Sequence, residues 1–180
     1  MKVVLASGSP RRREILSMLG IEFEIKVSDA DETVDPNLSP ADTVMAIAAK
    51  KSQGIDGDIV ISADTIVCLD GKIIGKPSDY EDAFKILKML SGRTHEVYTG
   101  VCVNGKTAYE LSEVAFNELS DEEIKAYILT GEPMDKAGAY AAQGKGACFV
   151  REIKGDFFNV MGLPVHLLYG MLKNEGFDII

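Results

Sequence analysis

The apolar and polar positions along the chain switch between a strand-like and a helix-like period. Short apolar runs, rich in β-branched residues and bounded by turn residues, predict strands. These runs are Lys2–Ala6, Glu22–Val27, Asp58–Leu69, Glu96–Val103, Thr107–Phe116 and Ala147–Ile153. Apolar residues spaced three and four apart predict helices. These segments are Pro10–Leu19, Pro40–Gln53, Tyr80–Leu90, Asp121–Leu129 and Val165–Glu175.

Strands and helices alternate at the front of the chain, but the middle predicts a hairpin. Asn104-Gly105 joins two apolar runs there, and this dipeptide favours a two-residue hairpin turn. The run Asp58–Leu69 is long enough for one strand or a pair of strands. This order predicts an α/β fold with a mixed sheet and flanking helices rather than an all-parallel sheet. Without a repeat or a linker, the 180 residues suit one domain, 1–180, which could form two lobes around a central cleft.

Two helix starts and one helix stop carry clear local signals. Ser9-Pro10 and Ser39-Pro40 each place an N-capping serine before a proline at the first helical position. Asp42 adds an acidic residue to the first turn of the second of these helices, as in a capping box. Gly20 is the matching stop for the first helix.

The charge balance limits the classes of partner. Nineteen basic and 28 acidic residues give a net charge of −9, which argues against a nucleic-acid-binding protein. A small phosphorylated ligand then requires local positive charge or a bridging cation. No apolar run reaches the roughly 20 residues of a membrane span, and the apolar start is too short for a signal peptide. We therefore expect a cytoplasmic protein that does not bind a membrane.

Cysteines and histidines are few and widely spaced. The three cysteines, Cys68, Cys102 and Cys148, lie in apolar stretches without a Cys-x-x-Cys pair, so we expect reduced core residues. The two histidines, His95 and His166, lack the spacing of metal ligands. A zinc site of the His/Cys kind is therefore not expected.

The densest basic cluster lies where the first predicted strand passes into the first helix. Two serines, Ser7 and Ser9, precede three consecutive arginines, Arg11 to Arg13. Because helix starts expose amide groups and arginine forks match phosphate oxygens, this segment predicts an anion site. The alternative is a capped surface helix with solvated arginines. A P-loop is excluded, since the chain lacks its glycine, lysine and serine spacing.

Carboxylates that could hold a hard cation occur in two places. The stretch from Ser28 to Asp35 is acidic and could bind Mg²⁺ or Mn²⁺, or could be a solvated loop. Asp64 interrupts an apolar strand, and a buried carboxylate needs a partner, a metal or a proton. That makes Asp64 a functional candidate, against the alternative of a strand-end residue that caps a turn.

Two lysines and one glutamine complete the candidates. Lys51 ends the apolar face of its predicted helix, where it could enter a cleft or reach along the surface to water. Lys76 projects from the turn Gly75-Lys76-Pro77. Gln143 lies in a long polar segment and offers both a donor and acceptors to a base edge, although it could be an ordinary loop amide. A serine nucleophile with His95 has no supporting motif.

Taken together and in order, these segments resemble the Maf family, the septum-formation-inhibitor proteins. The matching segments are Leu5 to Arg12, Asp31-Glu32, Lys51, Ala63-Asp64-Thr65, Gly75-Lys76-Pro77, Ser91 to His95, Glu132 to Tyr140 and Asn159 to Pro164. Departures occur at Ala142 and Ser52, neither of which is a charged position. Each motif alone is short, but the ordered set spans nearly the whole chain.

The resemblance implies a nucleoside triphosphate pyrophosphatase with an inosine-triphosphatase-like fold. Such an enzyme cleaves between the α- and β-phosphates, releases a monophosphate and pyrophosphate, and uses a divalent cation, Mg²⁺ or Mn²⁺. By position, Asp64 is the implied general base, with Glu32, Lys51 and Lys76 as further active-site residues. Ser7, Ser9, Arg11 and Arg12 belong to the phosphate-binding start, and a homodimer is compatible with the resemblance. The residues that match the base-specificity positions of the dTTP and UTP branch are Arg11, Thr65 and Gln143.

The residues themselves leave some roles open. Glu32 and Asp64 could both hold the metal, and the sequence does not separate the metal ligand from the base. A purine or 7-methyl-GTP pyrophosphatase of the same fold would differ only in its base contacts. A non-catalytic nucleotide-binding regulator of septum formation is a further alternative, although pure binding would not need both carboxylates and both lysines.

Overall fold

The computed structural model describes residues 1–180 and contains seven strands and six α-helices. The strands are β1 Val3–Leu5, β2 Glu24–Ile25, β3 Ile59–Leu69, β4 Lys72–Ile74, β5 Thr94–Val103, β6 Lys106–Phe116 and β7 Val150–Lys154. The helices are α1 Pro10–Met18, α2 Pro40–Ser52, α3 Tyr80–Leu90, α4 Asp121–Ile128, α5 Phe157–Met161 and α6 Val165–Asn174. The longest helix has 13 residues, and none combines the length and apolarity needed to cross a membrane.

The strands form one mixed sheet in the order β2-β1-β3-β5-β6-β7, with β4 added beside β3. β1 pairs in parallel with β2 and with β3, whereas β4 pairs antiparallel with β3 and β7 antiparallel with β6. Leu5, the last residue of β1, lies opposite Ile61, which is three residues before Asp64 on β3. The predicted mixed α/β class is therefore confirmed.

The predicted local signals mostly hold. Asn104 and Gly105 both have positive φ, 49° and 81°, and the hairpin turn forms as expected. Ser39 caps α2 by accepting a hydrogen bond from the amide of Asp42. Gly20 ends α1 with φ of 71°, and its amide bonds to the carbonyl of Ser17. Ser9 occupies the N-cap of α1, but its side chain makes no capping bond.

The structure contains two short elements that were not predicted, and its last strand starts later than predicted. The run Asp58–Leu69 forms one strand, β3, which is the first of the two predicted alternatives. The short strand β4 and the helix α5 have no counterpart among the predicted elements. The last strand begins at Val150 rather than Ala147, because Lys145–Phe149 forms a 3₁₀ helix. The amides of Lys145 and Gly146 bond to the carboxylate of Glu132, which takes these residues out of any strand ladder.

Cys148 corrects the expectation that all three cysteines lie in the core. Cys68 and Cys102 are buried and reduced, but Cys148 is exposed. It lies on the Lys145–Phe149 turn, whose buried residues are Gly146 and Phe149. Apolar neighbours in the sequence therefore do not place Cys148 on the apolar face of the turn.

The chain divides into two compact units. The first comprises Met1–Thr65, Tyr98–Glu110 and Phe158–Ile180, and the second comprises Ile66–Val97 and Leu111–Phe157. The core of the first unit combines aliphatic residues from β1, α1, β3, β5 and α6, among them Leu5, Ile61 and Leu168. The second unit has an aromatic core in which Phe116 contacts Tyr140 and Phe149 edge-on.

In the first unit, helix α2 packs directly on the backbone of β5. A Cβ atom at Gly100 would lie 2.4 Å from the carbonyl group of Val44, so only glycine fits there. The hydroxyl of Ser62 on β3 donates to the carbonyl oxygen of Ala48 and ties the helix to a second strand. These contacts fix the position of α2, whose last turn carries Lys51.

His95 is a neutral residue of the aromatic core in the second unit. It is 1% exposed, and its Nε2 atom lies 2.8 Å from the hydroxyl of Tyr140. Its ring packs edge-on against Phe116 and Tyr140, and its Nδ1 atom has no hydrogen-bond partner. Burial lowers the pKa of His95 to about 4.

We expect the buried His95 to make the protein acid-sensitive between pH 6.5 and 4. In that range the unfolded chain binds a proton at this histidine and the folded chain does not, so stability falls as the pH falls. The loss attributable to His95 is about 2–3 kcal/mol of unfolding free energy. Denaturant titrations at pH 7 and pH 4.5 measure it, and the drop should shrink by that amount in His95→Phe. The exposed His166→Gln is the control, and an equal drop in parent and His95→Phe contradicts the assignment.

Candidate active site

The turn between β1 and α1 collects the serines and arginines of the predicted anion site. Ser7 is buried at the end of β1, and its Oγ accepts a hydrogen bond from the amide of Ser9 at 3.3 Å. Arg11 and Arg12 follow Pro10 in the first turn of α1, which contains no acidic residue. The amides of a first helical turn have no partner within the helix, so positive charge and free donors coincide here.

Arg12 is a buried hub rather than a solvated arginine. Its side chain donates from Nε to the carbonyl of Gly162 at 2.7 Å, from Nη1 to Ser7 Oγ at 3.1 Å and from Nη2 to Thr65 Oγ1 at 3.2 Å. Burial lowers the pKa of Arg12 to about 10, and the charge of Asp64 opposes part of that shift. The guanidinium is therefore charged at neutral pH. Of the three arginines, Arg13 is the exposed one, as the alternative interpretation expected for all.

A chain of hydroxyl groups continues from Arg12 across the sheet. Thr99 Oγ1 donates to the carbonyl of Asn159 at 2.9 Å, and the two threonine hydroxyls of Thr99 and Thr65 lie 2.9 Å apart. Because a hydroxyl has one proton, Thr65 donates to Thr99 and accepts from Arg12. Thr65 thus helps to position the Arg12 guanidinium. The hydroxyl proton of Thr65 is used in its hydrogen bond to Thr99.

Lys51 lies between two carboxylates from different segments. Its Nζ atom is 2.7 Å from Asp64 Oδ1 and 3.5 Å from Glu32 Oε2. The side chains of Lys51 and Asp64 are 19% and 14% exposed, whereas that of Glu32 is 56% exposed. Asp64 therefore has the partner that its place in an apolar strand requires, and Lys51 turns toward the carboxylates rather than to water. The adjacent Lys50 instead donates to the carbonyl of Thr33.

The two carboxylates beside Lys51 are of the chemical type that a magnesium-like ion binds. No three His, Cys, Asp or Glu side chains cluster anywhere in the structure, so a closed protein cage is absent. Mg²⁺ commonly binds through one or two carboxylates together with phosphate oxygens and waters. Asp64 and Glu32 supply such a pair, since Lys51 contacts only one oxygen of each. Of the acidic stretch 28–35, Glu32 is the residue that forms an ion pair with Lys51.

Eight of the ten predicted site residues lie in the first unit, and Lys76 and Gln143 lie in the second. The first unit brings together Arg12, Ser7 and Thr65 in one network and Lys51, Asp64 and Glu32 in another. Lys76 is exposed just after β4, in a turn whose preceding residue, Gly75, accepts the amide of Gly138. Gln143 is exposed in the turn before the Lys145–Phe149 helix.

Two residues that shape this site had no role assigned from the sequence. Thr99 is fully buried on β5 and orients the hydroxyl of Thr65. Gly162 has φ of 113° and accepts from Arg12, and a Cβ there would lie 3.3 Å from Thr65 Oγ1. A threonine among strongly apolar positions of a strand was the only signal for Thr99. Gly162 lies in a segment that contributed to the resemblance but had no assigned contact.

Comparison with known proteins gives a consistent result along the whole chain. A family model described as Maf-like protein matches residues 2–175. A dTTP/UTP pyrophosphatase of Bacillus cereus is 48% identical over 186 residues, covering 99% of this chain and 97% of that protein. A protein of the same name from Bacillus cytotoxicus is 51% identical over 180 residues, covering 96% of this chain and 94% of the relative.

A solved structure supports the same architecture at lower sequence similarity. The structure of the Staphylococcus aureus Ham1 protein matches with a TM-score of 0.53 and 17% identity, covering 97% of this chain and 100% of that one. At this identity the likeness concerns the fold. It agrees with the mixed α/β class that the sequence predicted.

Proposed function

The chain belongs to the family of Maf-like proteins, and from that premise we propose that it hydrolyses dTTP and UTP to the monophosphate and pyrophosphate. The observation that carries the proposal is the pairing of Lys51 with Asp64 and Glu32 in the first unit, which also contains the arginine-bearing start of α1. The names of relatives about half identical to it, matched over nearly their full length, supply the substrates.

Phosphate binding starts at the first turn of α1. A triphosphate carries about four negative charges near neutral pH, which a protein of net charge −9 must neutralise locally. Arg11 and the amides of that turn are the donors available to the phosphates. Arg12 adds a buried positive charge that is held in a fixed position by three hydrogen bonds. Lys76, exposed on its turn, is a further cation for the triphosphate.

Asp64 is the group we assign to the attacking water. Its side chain is 14% exposed, it accepts a hydrogen bond from Lys51, and it lies in the middle of β3. Its carboxylate accepts a hydrogen bond from the water, orients it toward a phosphorus of the α,β-bridge and takes up its proton. Before substrate binds, Lys51 neutralises part of the charge of the two carboxylates. After binding, it also stabilises the negative charge of the phosphates. A divalent cation held by Glu32 and Asp64 would neutralise the phosphates as a Lewis acid.

Base choice is assigned to Arg11, Thr65 and Gln143. Pyrimidine bases of dTTP and UTP present carbonyl oxygens and a ring N–H, so a reader needs both donors and an acceptor. Gln143 offers both kinds, and Arg11 offers donors. The hydroxyl of Thr65 donates its hydrogen bond to Thr99, so its influence on the base passes through Arg12.

Gln143→Ala should lower kcat/KM for dTTP and UTP by roughly 5- to 150-fold, since a bound base left without its hydrogen-bond partner costs about 1–3 kcal/mol. Poor substrates should be affected less, because they do not use the glutamine amide. The measurement is kcat/KM for dTTP, UTP, CTP, GTP and ATP on both proteins. An equal loss on all five makes Gln143 a structural residue.

One assay separates this proposal from its alternatives. Pyrophosphate release is followed across the nucleotide panel with Mg²⁺, with Mn²⁺ and after chelation. Preference for GTP or 7-methyl-GTP would overturn the base assignment, and binding without turnover would indicate a regulator of septum formation. A metal requirement in the same assay tests the assignment of Glu32 and Asp64 as ligands. Cytoplasmic location and a homodimer stay predictions.

A further inference from the structure

The turn that carries Gln143 is bound through two of its backbone amides by one glutamate, Glu132. In the second unit, Glu132 Oε1 accepts the amide of Lys145 at 3.0 Å, and its Oε2 accepts the amide of Gly146 at 3.0 Å. On the other side of Gln143, the amide of Ala141 donates to the hydroxyl of Tyr127 at 3.1 Å. Amides before and after the glutamine are thus fixed by two side chains.

Those two side chains also bond to each other. The Tyr127 hydroxyl donates to the Glu132 carboxylate, and burial together with that carboxylate raises the pKa of Tyr127. Burial opposes the charge of Glu132, but the bonds from Tyr127, Lys145 and Gly146 outweigh it and leave its pKa below the ordinary value. The pair therefore stays in one protonation state, with Tyr127 as donor and Glu132 as acceptor, at neutral pH.

Two glycines leave the space that this pair occupies. A Cβ at Gly144 would lie 2.0 Å from Glu132 Oε1, so the carboxylate fills the position directly beside Gln143. A Cβ at Gly146 would lie 2.8 Å from the Tyr127 hydroxyl. The backbone of the turn and the two side chains are therefore closely fitted, which a loop with no demand on its conformation would not need.

We propose that Glu132 is a positioning residue for base recognition, which with Tyr127 presents the exposed Gln143 in a single conformation. This inference rests on the proposed function, in which Gln143 reads the base. An exposed glutamine on a loose loop must be ordered each time substrate binds, and that cost weakens binding. A turn held in advance removes the cost. The role is specific to substrates that use Gln143.

The test is a double-mutant cycle built on Glu132→Gln and Gln143→Ala. Glutamine at 132 keeps the shape but loses the charge and replaces one accepting oxygen with a donor. We expect Glu132→Gln to lower kcat/KM for dTTP and UTP by about 10-fold, mainly through KM, with a smaller loss on ATP. In the Gln143→Ala background the same change should cost less than about 2-fold, because the side chain that it positions is gone.

Controls keep the result independent of folding. Glu122→Gln makes the same chemical change at an exposed position of α4 and should match the parent. Tyr127→Phe keeps the ring that packs 5.0 Å from Phe149 and removes only the hydroxyl, so it tests the pair if Glu132→Gln folds poorly. Hydrogen exchange should become faster at the Lys145 and Gly146 amides in Glu132→Gln and at the Ala141 amide in Tyr127→Phe.

Each outcome decides the matter. An equal loss on every nucleotide in both backgrounds, or unchanged exchange of these amides, overturns the positioning role while leaving the proposed function intact. A parent enzyme that releases no pyrophosphate from dTTP or UTP overturns the proposed function, and this inference falls with it. Selective loss on dTTP and UTP that vanishes in the Gln143→Ala background supports the role.

Discussion

Asp64→Asn should lower kcat for dTTP hydrolysis by at least about 100-fold, the low end for positioned acid–base catalysis. Asparagine keeps the size of the side chain but cannot take a proton from water. It also removes the charge that holds Lys51 at 2.7 Å, which leaves that lysine with Glu32 alone. The measurement is kcat at saturating dTTP, with the unfolding transition recorded to show that the variant folds.

Asp70→Asn is the matched control for this substitution. Asp70 directly follows β3 and also pairs with a cation, Arg93, but on the surface. Its φ of 51° suits asparagine, so the change introduces no backbone strain. Surface ion pairs contribute about 0–1 kcal/mol, so turnover and stability should stay near those of the parent. Near-parental kcat in a folded Asp64→Asn enzyme would remove Asp64 from the mechanism.

Arg12→Ala should reduce the free energy of unfolding by at least about 3 kcal/mol and weaken triphosphate binding at the same time. The change leaves the carbonyl of Gly162 and the hydroxyls of Ser7 and Thr65 without their donor, and each such loss typically costs about 1–3 kcal/mol. Denaturant titration gives the free energy of unfolding. Nucleotide affinity is measured at denaturant concentrations below the unfolding transition, where the variant is folded.

Arg12→Lys and Arg13→Ala complete the comparison. Lysine keeps the charge but cannot reach three acceptors in the plane of a guanidinium, so its loss should be intermediate. Arg13 is exposed, and its removal should change stability by less than about 0.5 kcal/mol. Stability of Arg12→Ala equal to that of Arg13→Ala would contradict the role of Arg12 as a buried hub.

The sequence predicted elements well where local signals and apolar periods agreed. Helix α2 starts at Pro40 as predicted because a capping serine, a proline and an apolar stripe all point to the same boundary. The predicted start of β7 was wrong because residues 145–149 form a 3₁₀ helix, in which the amide of Ala147 bonds to the carbonyl of Gly144. Glu132, thirteen residues before Lys145, accepts the amide at the start of that helix. Contacts of this kind between distant side chains and backbone leave no local pattern.

The sequence predicted which residues belong to the site, but not which of their side chains pair with one another. Asp64 stood out because a carboxylate in an apolar strand is costly without a partner. That the partner is Lys51, and that Glu32 lies on the other side of it, depends on three segments meeting in space. The burial of Arg12 was equally hidden, since its acceptors come from the turn after β1, from β3 and from the segment before α6.

The backbone contact at Gly100 bears on the geometry of the ion pair between Lys51 and Asp64. Side chains that pack against one another can adjust by changing rotamers, but the backbone of β5 meets the backbone of α2 at Val44 with nothing between them. Lys51 lies on the same face of α2 as Val44, about two turns further on. Steric repulsion between the two backbones therefore limits how closely α2, and with it the Cα atom of Lys51, can approach the sheet. A residue without a side chain thus contributes to the spacing from which Lys51 reaches Asp64.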